Sequence, residues 1–443
     1  MQDPAAPHTS RARRGSLQRG RPAEPTPPTG RRRFTIDTSP LRERPFRRLW
    51  SGQAITVIGT QMTLVVVPFQ VFTVTRSSLA VGLTSIVALV PLVIFGLLGG
   101  AIADTVDRRK LMLFTSGGTA VASGLLFAQS LLPGPGHLSV LWGLTAVESA
   151  LTAINSPTRS ASIPALVGEV KVAAANALNM TVQQVGVIAG PLVAGFLIGA
   201  GGLPFTYAID ACGFLVALML LRGLPPLPPG GTAGRLHIGA AFRGVGEGFA
   251  FLRTQPVLLM TFVVDLFAMV FGWPRAVIPQ LAETTFAHST NAFGWLSAGV
   301  SIGALLMGLV SGWVTRLDRQ GAAVLAAICV WAVSVALFGL SGSLFWAVFW
   351  LAMAGAGDLV SAVLRTSMLQ TAAPDDMRGR MQGVFIVVVA GGPRLGDLRS
   401  GALAAAFGVP VTMASGGAVI LAAMAVVAVV VPSFRTFRAS RVR

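Results

Sequence analysis

Gly99-Gly100-Ala101-Ile102-Ala103-Asp104-Thr105-Val106-Asp107-Arg108-Arg109-Lys110 is a short charged turn set between two long apolar runs. Its clustered charges are costly in hydrocarbon, and its small residues let helices approach closely, so it reads as a loop joining two membrane-crossing helices. Each flanking run supplies the roughly 20 apolar residues that a helical crossing needs. Working outward in both directions, the same alternation of apolar runs and short polar turns predicts helices over residues 48–72, 79–105, 110–130, 137–158, 171–200, 203–223, 256–280, 290–315, 321–341, 343–370, 378–402 and 406–432. The expectation is an all-α membrane protein with twelve transmembrane helices, built to move a solute rather than to convert one.

Composition points the same way. Of 443 residues 53% are hydrophobic, the mean hydropathy is +0.70 and 12% are charged, where a soluble domain carries about 25%. The net charge of +17 raises the question of nucleic acid, but the charge is distributed as membrane topology distributes it. Twelve arginines precede Trp50, and the rest of the loop charge gathers at residues 107–110, 159–171, 222–253, 316–319, 375–380 and 435–443, all on one side of the predicted membrane. By the positive-inside rule that side is the cytoplasm, and an even number of spans puts both termini there. Arg76 and Glu283 alone interrupt the short loops opposite. Residues 1–45 read as a disordered basic cytoplasmic tail suited to anionic lipid, with no apolar core of a signal peptide, and 433–443 as a second basic tail. Cys212, Cys329 and four scattered histidines imply no disulfide framework, metal site or cofactor. The expected partners are a small-molecule solute, protons and membrane lipids, with no nucleic acid, and the chain is expected to act as a monomer.

The longest connection, residues 224–255, opens with Pro225-Pro226-Leu227-Pro228-Pro229-Gly230-Gly231 and turns amphipathic around Arg235, His237, Arg243 and Glu247. It separates an N-terminal six-helix bundle, 46–223, from a C-terminal one, 256–432. The halves echo each other weakly: Arg159 lies nine residues before Gly168-Glu169, and Arg365 nine before Pro374-Asp375. Two similar halves rocking about a central site is the architecture of alternating access.

Charges inside apolar runs need a partner or a wet cavity. The candidates are Glu148, Arg159, Asp210, Asp265 with Arg275, Asp358 with Arg365, and Arg394, Asp397 and Arg399. Arg159 and Arg365 can also lie at helix ends and snorkel to water. A carboxylate buried in low dielectric holds its proton tightly, which suits a proton-for-solute exchanger, and Asp265 and Asp358 stand out for that role against the reading of plain interior ion pairs. In Gly391-Gly392-Pro393-Arg394-Leu395-Gly396-Asp397-Leu398-Arg399, arginines among glycines are equipped to hold an anionic or catecholate ligand; the competing reading is that Asp397 neutralises them within the fold. Gly186, Gly190, Pro191 and Gly195 place small residues and a proline along the fifth span, for close packing and a bend.

The turn quoted first resembles the cytoplasmic loop between helices two and three of the major facilitator superfamily. Gly100, Asp104, Arg108 and Arg109 match the family pattern of glycine, aspartate and paired basic residues that latches one state, whereas Thr105 and Asp107 depart from it. An ordinary topology-fixing loop is the alternative. The second-half copy sets Ser311 and Thr315 in the places of Gly100 and Asp104. Gly186, Gly190, Pro191 and Gly195 resemble the helix-five signature of proton-coupled exporters. From Phe46 onward the chain resembles one branch, that of the enterobactin exporter and related drug-efflux carriers. That resemblance rests on Phe46-Arg47-Arg48-Leu49-Trp50-Ser51-Gly52-Gln53, Asn155-Ser156-Pro157-Thr158-Arg159, Pro164-Ala165-Leu166-Val167 and Arg378-Gly379-Arg380-Met381. It implies a non-enzymatic, proton-coupled exporter of the bacterial inner membrane that expels a siderophore. Multidrug efflux of amphiphilic compounds, nutrient uptake, and a non-transporting scaffold or sensor are the alternatives. No phosphate-binding loop ending in Lys-Ser or Lys-Thr is present to couple transport to ATP.

Overall fold

Helix ends follow local chemistry. Pro45, Pro256 and Pro410 sit in the first turns of their helices, where a missing N–H costs nothing. The Ser77 hydroxyl accepts from the Ala80 amide, and Asp107 Oδ1 accepts from the amides of Arg109 and Lys110, capping the second and third helices. The computed structural model describes residues 37–132, 138–229, 238–289, 291–372 and 378–438. The basic tail, the turn at 133–136, Arg235 and His237 of the linker, Pro374-Asp375 and the last residues lie outside the described ones.

The order is α1 (Arg44–Thr75), α2 (Ser78–Thr105), α3 (Arg108–Ser130), α4 (Leu138–Val167), α5 (Val172–Arg222), α6 (Ile238–Thr254), α7 (Pro256–Gly272), α8 (Ile278–Glu283), α9 (Ala292–Val310), α10 (Gln320–Gly339), α11 (Leu344–Ala372), α12 (Arg378–Phe407) and α13 (Val409–Val430). Ten stretches are long and apolar enough to cross a bilayer. Two more crossings complete the expected twelve. α5 turns back on itself at Gly202, whose φ of 75° is a left-handed conformation that a side chain would resist, so one 51-residue element makes two spans. α12 is the other, its apolar run diluted by Arg394, Asp397 and Arg399. Phe114, Val121, Leu309 and Val429 are more than 60% exposed along the outer face, as lipid contact requires.

The seventh predicted span differs from expectation. Instead of one helix over 256–280, α7 stops at Gly272, a tight turn runs through Arg275–Val277, and α8 resumes. Pro274 has no N–H to give, which breaks the helical ladder there. α12 mends the gap: Arg399 Nη1 donates to the Phe271 carbonyl at 2.6 Å and Ser400 Oγ to the Trp273 carbonyl at 3.0 Å. Arg399, grouped with the ligand-binding candidates on sequence grounds, is therefore a cap for α7, and it also lies over the Phe271 ring.

The contacts that join the two six-helix halves gather at the end away from the termini. Arg76 pairs with Glu283, and Ser78 Oγ donates to Gln280 Oε1 at 2.6 Å. Phe69 packs on Phe293 with ring centroids 4.6 Å apart. The α5 backbone at Gly195 meets the α9 backbone at Gly294 so closely that Gly195 has no room for a Cβ and Gly294 only a tight one. The two charges that interrupt the far loops are each other's partner.

Candidate functional site

On the terminal side, the inner face of the first half carries a cavity of about 700 Å³. α1 contributes Gln53, Thr56 and Gln61, α4 contributes Asn155 and Arg159, and α5 contributes Asn179 and Gln183. Ser156, Ser160, Asn176 and Gln184 on its rim are exposed, so it is open to water. Phe214 is its one aromatic lining residue. Neutral amides and hydroxyls predominate in its lining, with Ser116 and Thr119 from α3 and with Val57 and Met180 among them, because these helices turn their polar stripes inward and their apolar faces toward lipid, inverting the soluble-protein pattern.

Arg159 and Arg365 do not snorkel. They are 7% and 9% exposed, well inside α4 and α11, and their surroundings differ. Arg365 Nη1 lies 2.7 Å from Asp265 Oδ2, its Nη2 lies 4.0 Å from Asp358 Oδ1, and its Nε donates to Ser361 at 3.1 Å. This triad borders a second cavity of about 190 Å³ walled by Trp273 and Pro393. Among the described residues Arg159 has only neutral acceptors: Asn155 Oδ1 at 3.3 Å and the Leu49 carbonyl at 3.4 Å.

Behind the large cavity the first half holds two carboxylates with no ion-pair partner among the described residues. Asp210, 4% exposed, accepts from Thr63 at 3.0 Å and from Ser123 at 2.9 Å. The same Ser123 hydroxyl lies 3.3 Å from Glu148 Oε1. One hydroxyl hydrogen cannot serve both acids at once. Tyr207, Gln70 and Gln129 continue this polar line toward the far end, with Tyr207 donating to Gln70 at 2.7 Å and Gln70 to Gln129 at 3.0 Å. Periodicity did not reveal that line, because its members come from four helices, α1, α3, α4 and α5, and no two are adjacent in sequence.

A third cavity of about 120 Å³ lies where the halves meet, lined by Glu148, Ser85, Arg275 and Arg394. Asp397, fully buried, accepts from Ser85 at 2.6 Å across that junction and sits in the field of Arg275 and Arg394. The reading in which Asp397 neutralises its neighbours fits this arrangement, with the guanidinium of Arg275 also packed over Trp273.

The Gly99–Lys110 turn is tied within its own half. Asp104 lies 3.6 Å from Arg108, Arg108 donates to the Ala161 carbonyl at 2.9 Å, and Arg109 to the Arg222 carbonyl at 2.7 Å. Gly99 fits tightly against α4, but Gly100 faces open space, so only the first of the two serves the close approach expected of both. On α5, Gly186 packs on Val57, Gly190 on Gln61 and Gly195 on Gly294, while the helix runs on through Pro191. The interruption of α5 comes at Gly202 instead.

The pattern that defines the transmembrane secretion effectors matches residues 35–441. The chain belongs to that family, within the major facilitator superfamily. Among curated relatives it is 29% identical to the enterobactin exporter EntS of Shigella boydii serotype 18 over 387 residues, 86% of this chain and 90% of that one. The Escherichia coli O81 exporter of the same name is 28% identical over the same span. Among solved structures, the nucleoside transporter NupG superposes with a TM-score of 0.69 at 13% identity, covering 89% of this chain and 99% of NupG. A POT peptide transporter crystallised with sulfate gives 0.68 at 14%, covering 90% and 96%. These last two speak to the fold, twelve helices in two six-helix bundles. The transporter is thus a multi-pass membrane protein of the branch that includes the enterobactin exporter.

Proposed function

We propose that this transporter is a proton-driven exporter of the bacterial plasma membrane that expels a catecholate siderophore of the enterobactin kind. The observation that carries the reading is the large water-open cavity of amides and hydroxyls around one buried arginine, in a chain related over most of its length to enterobactin exporters. A polyhydroxylated, weakly acidic solute finds hydrogen-bond partners there. An amphiphilic drug would want an aromatic wall, and Phe214 alone provides one, so drug efflux is the weaker alternative. A non-transporting scaffold has no use for an open polar cavity.

Both termini lie in the cytoplasm on this reading, because the turn at Asp107 and the ends of α1 and α5 concentrate basic residues on that side. The structure is then the loading state, open inward and closed outward by the Arg76–Glu283 end. Residues 46–223 and 256–432 rock against each other, 224–255 links them, and Asp104, Arg108 and Arg109 latch the first half when the inward cavity closes. Glu148 and Asp210 around Ser123 carry the proton, while Asp265 serves as counter-ion to Arg365. Gly186, Gly190, Pro191 and Gly195 form the seam on which α1 and α9 slide. The carrier works as a monomer among membrane lipids.

The test is secreted and intracellular catecholate siderophore in a deletion strain, with and without the restored gene, beside a panel of drug susceptibilities. Siderophore retained by the deletion strain and released on complementation supports export. Unchanged siderophore with heightened drug sensitivity moves the assignment to drug efflux.

A further inference from the structure

A buried ion without a counter-ion costs several kcal/mol unless something completes it. Arg159 is such an ion. It is 7% exposed, its two hydrogen bonds are long and go to neutral oxygens, and no carboxylate among the described residues reaches ion-pair distance. The contrast with the second half is internal to the molecule: Arg365, in the echoed position, has Asp265 at 2.7 Å. What one half neutralises from within, the other presents to its cavity.

A second group lines the same cavity. Gln53 lies one helical turn beyond Leu49, whose carbonyl Arg159 binds. It is 7% exposed and its Oε1 has no partner. Asn155 holds the guanidinium through Oδ1 while its own Nδ2 donates to Thr115 at 2.6 Å, which fixes the amide and so the aim of the arginine.

We propose that Arg159 and Gln53 form a subsite for an oxygen anion bearing a neighbouring hydroxyl, as in a singly ionised catechol, with Asn155 as the positioning residue. The guanidinium takes the charged oxygen and Gln53 Oε1 accepts the adjacent O–H. This deepens the export reading and rests on it.

The experiment measures binding of enterobactin and of its fully O-methylated ether to the purified full-length transporter in lipid nanodiscs, at a pH where catechols ionise, together with melting curves. The wild type is expected to prefer enterobactin by about tenfold or more, as an ionic hydrogen bond at a buried site implies. R159Q should abolish that preference and melt at or above the wild type, because an uncompensated charge has been removed. Q53L should weaken enterobactin and leave the ether unchanged. N155A should fall between, with R159K failing to restore the preference. An R159Q protein that keeps the preference, or that melts well below the wild type, overturns the subsite. A wild type that binds both probes equally overturns the subsite and leaves export standing; one that binds neither overturns both.

Discussion

Replacing Asp265 tests whether it is a counter-ion or a proton carrier. Its carboxylate lies 2.7 Å from Arg365, and Asp358 stands 4.0 Å away on the other side of the guanidinium. At an effective dielectric of about 20 the two attractions are ~6 and ~4 kcal/mol before desolvation. Breaking a buried pair from one side typically costs about 3–5 kcal/mol. D265N keeps a hydrogen-bond acceptor and leaves Asp358 in place, so its cost falls to about 2–3 kcal/mol by the same reasoning. R365Q strands two carboxylates and should cost the full ~3–5 kcal/mol. The double variant D265N/R365Q leaves one stranded carboxylate, Asp358, instead of two and should recover about half of that loss. At about 2 °C per kcal/mol, D265N melts roughly 5 °C low and R365Q lower still. The decisive assay couples these melts to proton-driven transport in everted vesicles. The double variant is expected to fold and to transport. A well-folded double variant that has lost proton coupling would refute the counter-ion assignment and return Asp265 to the proton path, and so would a D265N protein that melts with the wild type.

Three other outcomes are expected. E148Q and D210N should each abolish transport driven by a pH gradient while sparing solute exchange at equilibrium; proton-driven transport surviving in both would remove the Ser123 dyad from the mechanism. Arg76 is 67% exposed and Glu283 17%, so their pair is worth about 0.5–1 kcal/mol. E283R should shift the population open at that end by two- to fivefold, and R76E/E283R should reverse it, read by electron spin resonance between labels on α1 and α8; identical distance distributions in all three proteins would show the pair to be idle. G195V puts a side chain into the Gly294 backbone, an overpacking cost of about 1–3 kcal/mol. It should spread the same labels and slow export, and unaltered transport would mean the seam is looser than its geometry.

The twelve crossings were legible because hydropathy and loop charge act locally, each span being long enough to show itself. The turn at Gly202 was readable as a glycine pair between two apolar runs. The break at Pro274 was visible only in hindsight, since one proline in a membrane helix is often tolerated and what decides is whether a neighbour such as Arg399 is there to receive the freed carbonyl. Site residues were legible as types rather than as partners. Asp358 was legible beside Arg365, two turns along the same helix, but Asp265 was grouped with the nearby Arg275, and its actual partner, Arg365, lies about a hundred residues away and meets it only in the fold. Glu148 and Asp210 come together through Ser123, a hydroxyl that no periodicity marks out.

The halves have diverged in duty, and that bears on how such carriers acquire new cargo. The polar wall belongs mainly to α1, α4 and α5, with Ser116 and Thr119 of α3, whereas the second half has closed its own charges into the Arg365 triad. Substitutions that alter what is recognised can then accumulate at Gln53, Gln61, Asn179 or Gln183 without touching the pieces that keep the partner half intact. A mutational library confined to those three helices would sample new specificities at little risk to assembly, and gene duplicates under selection would be expected to drift apart there first.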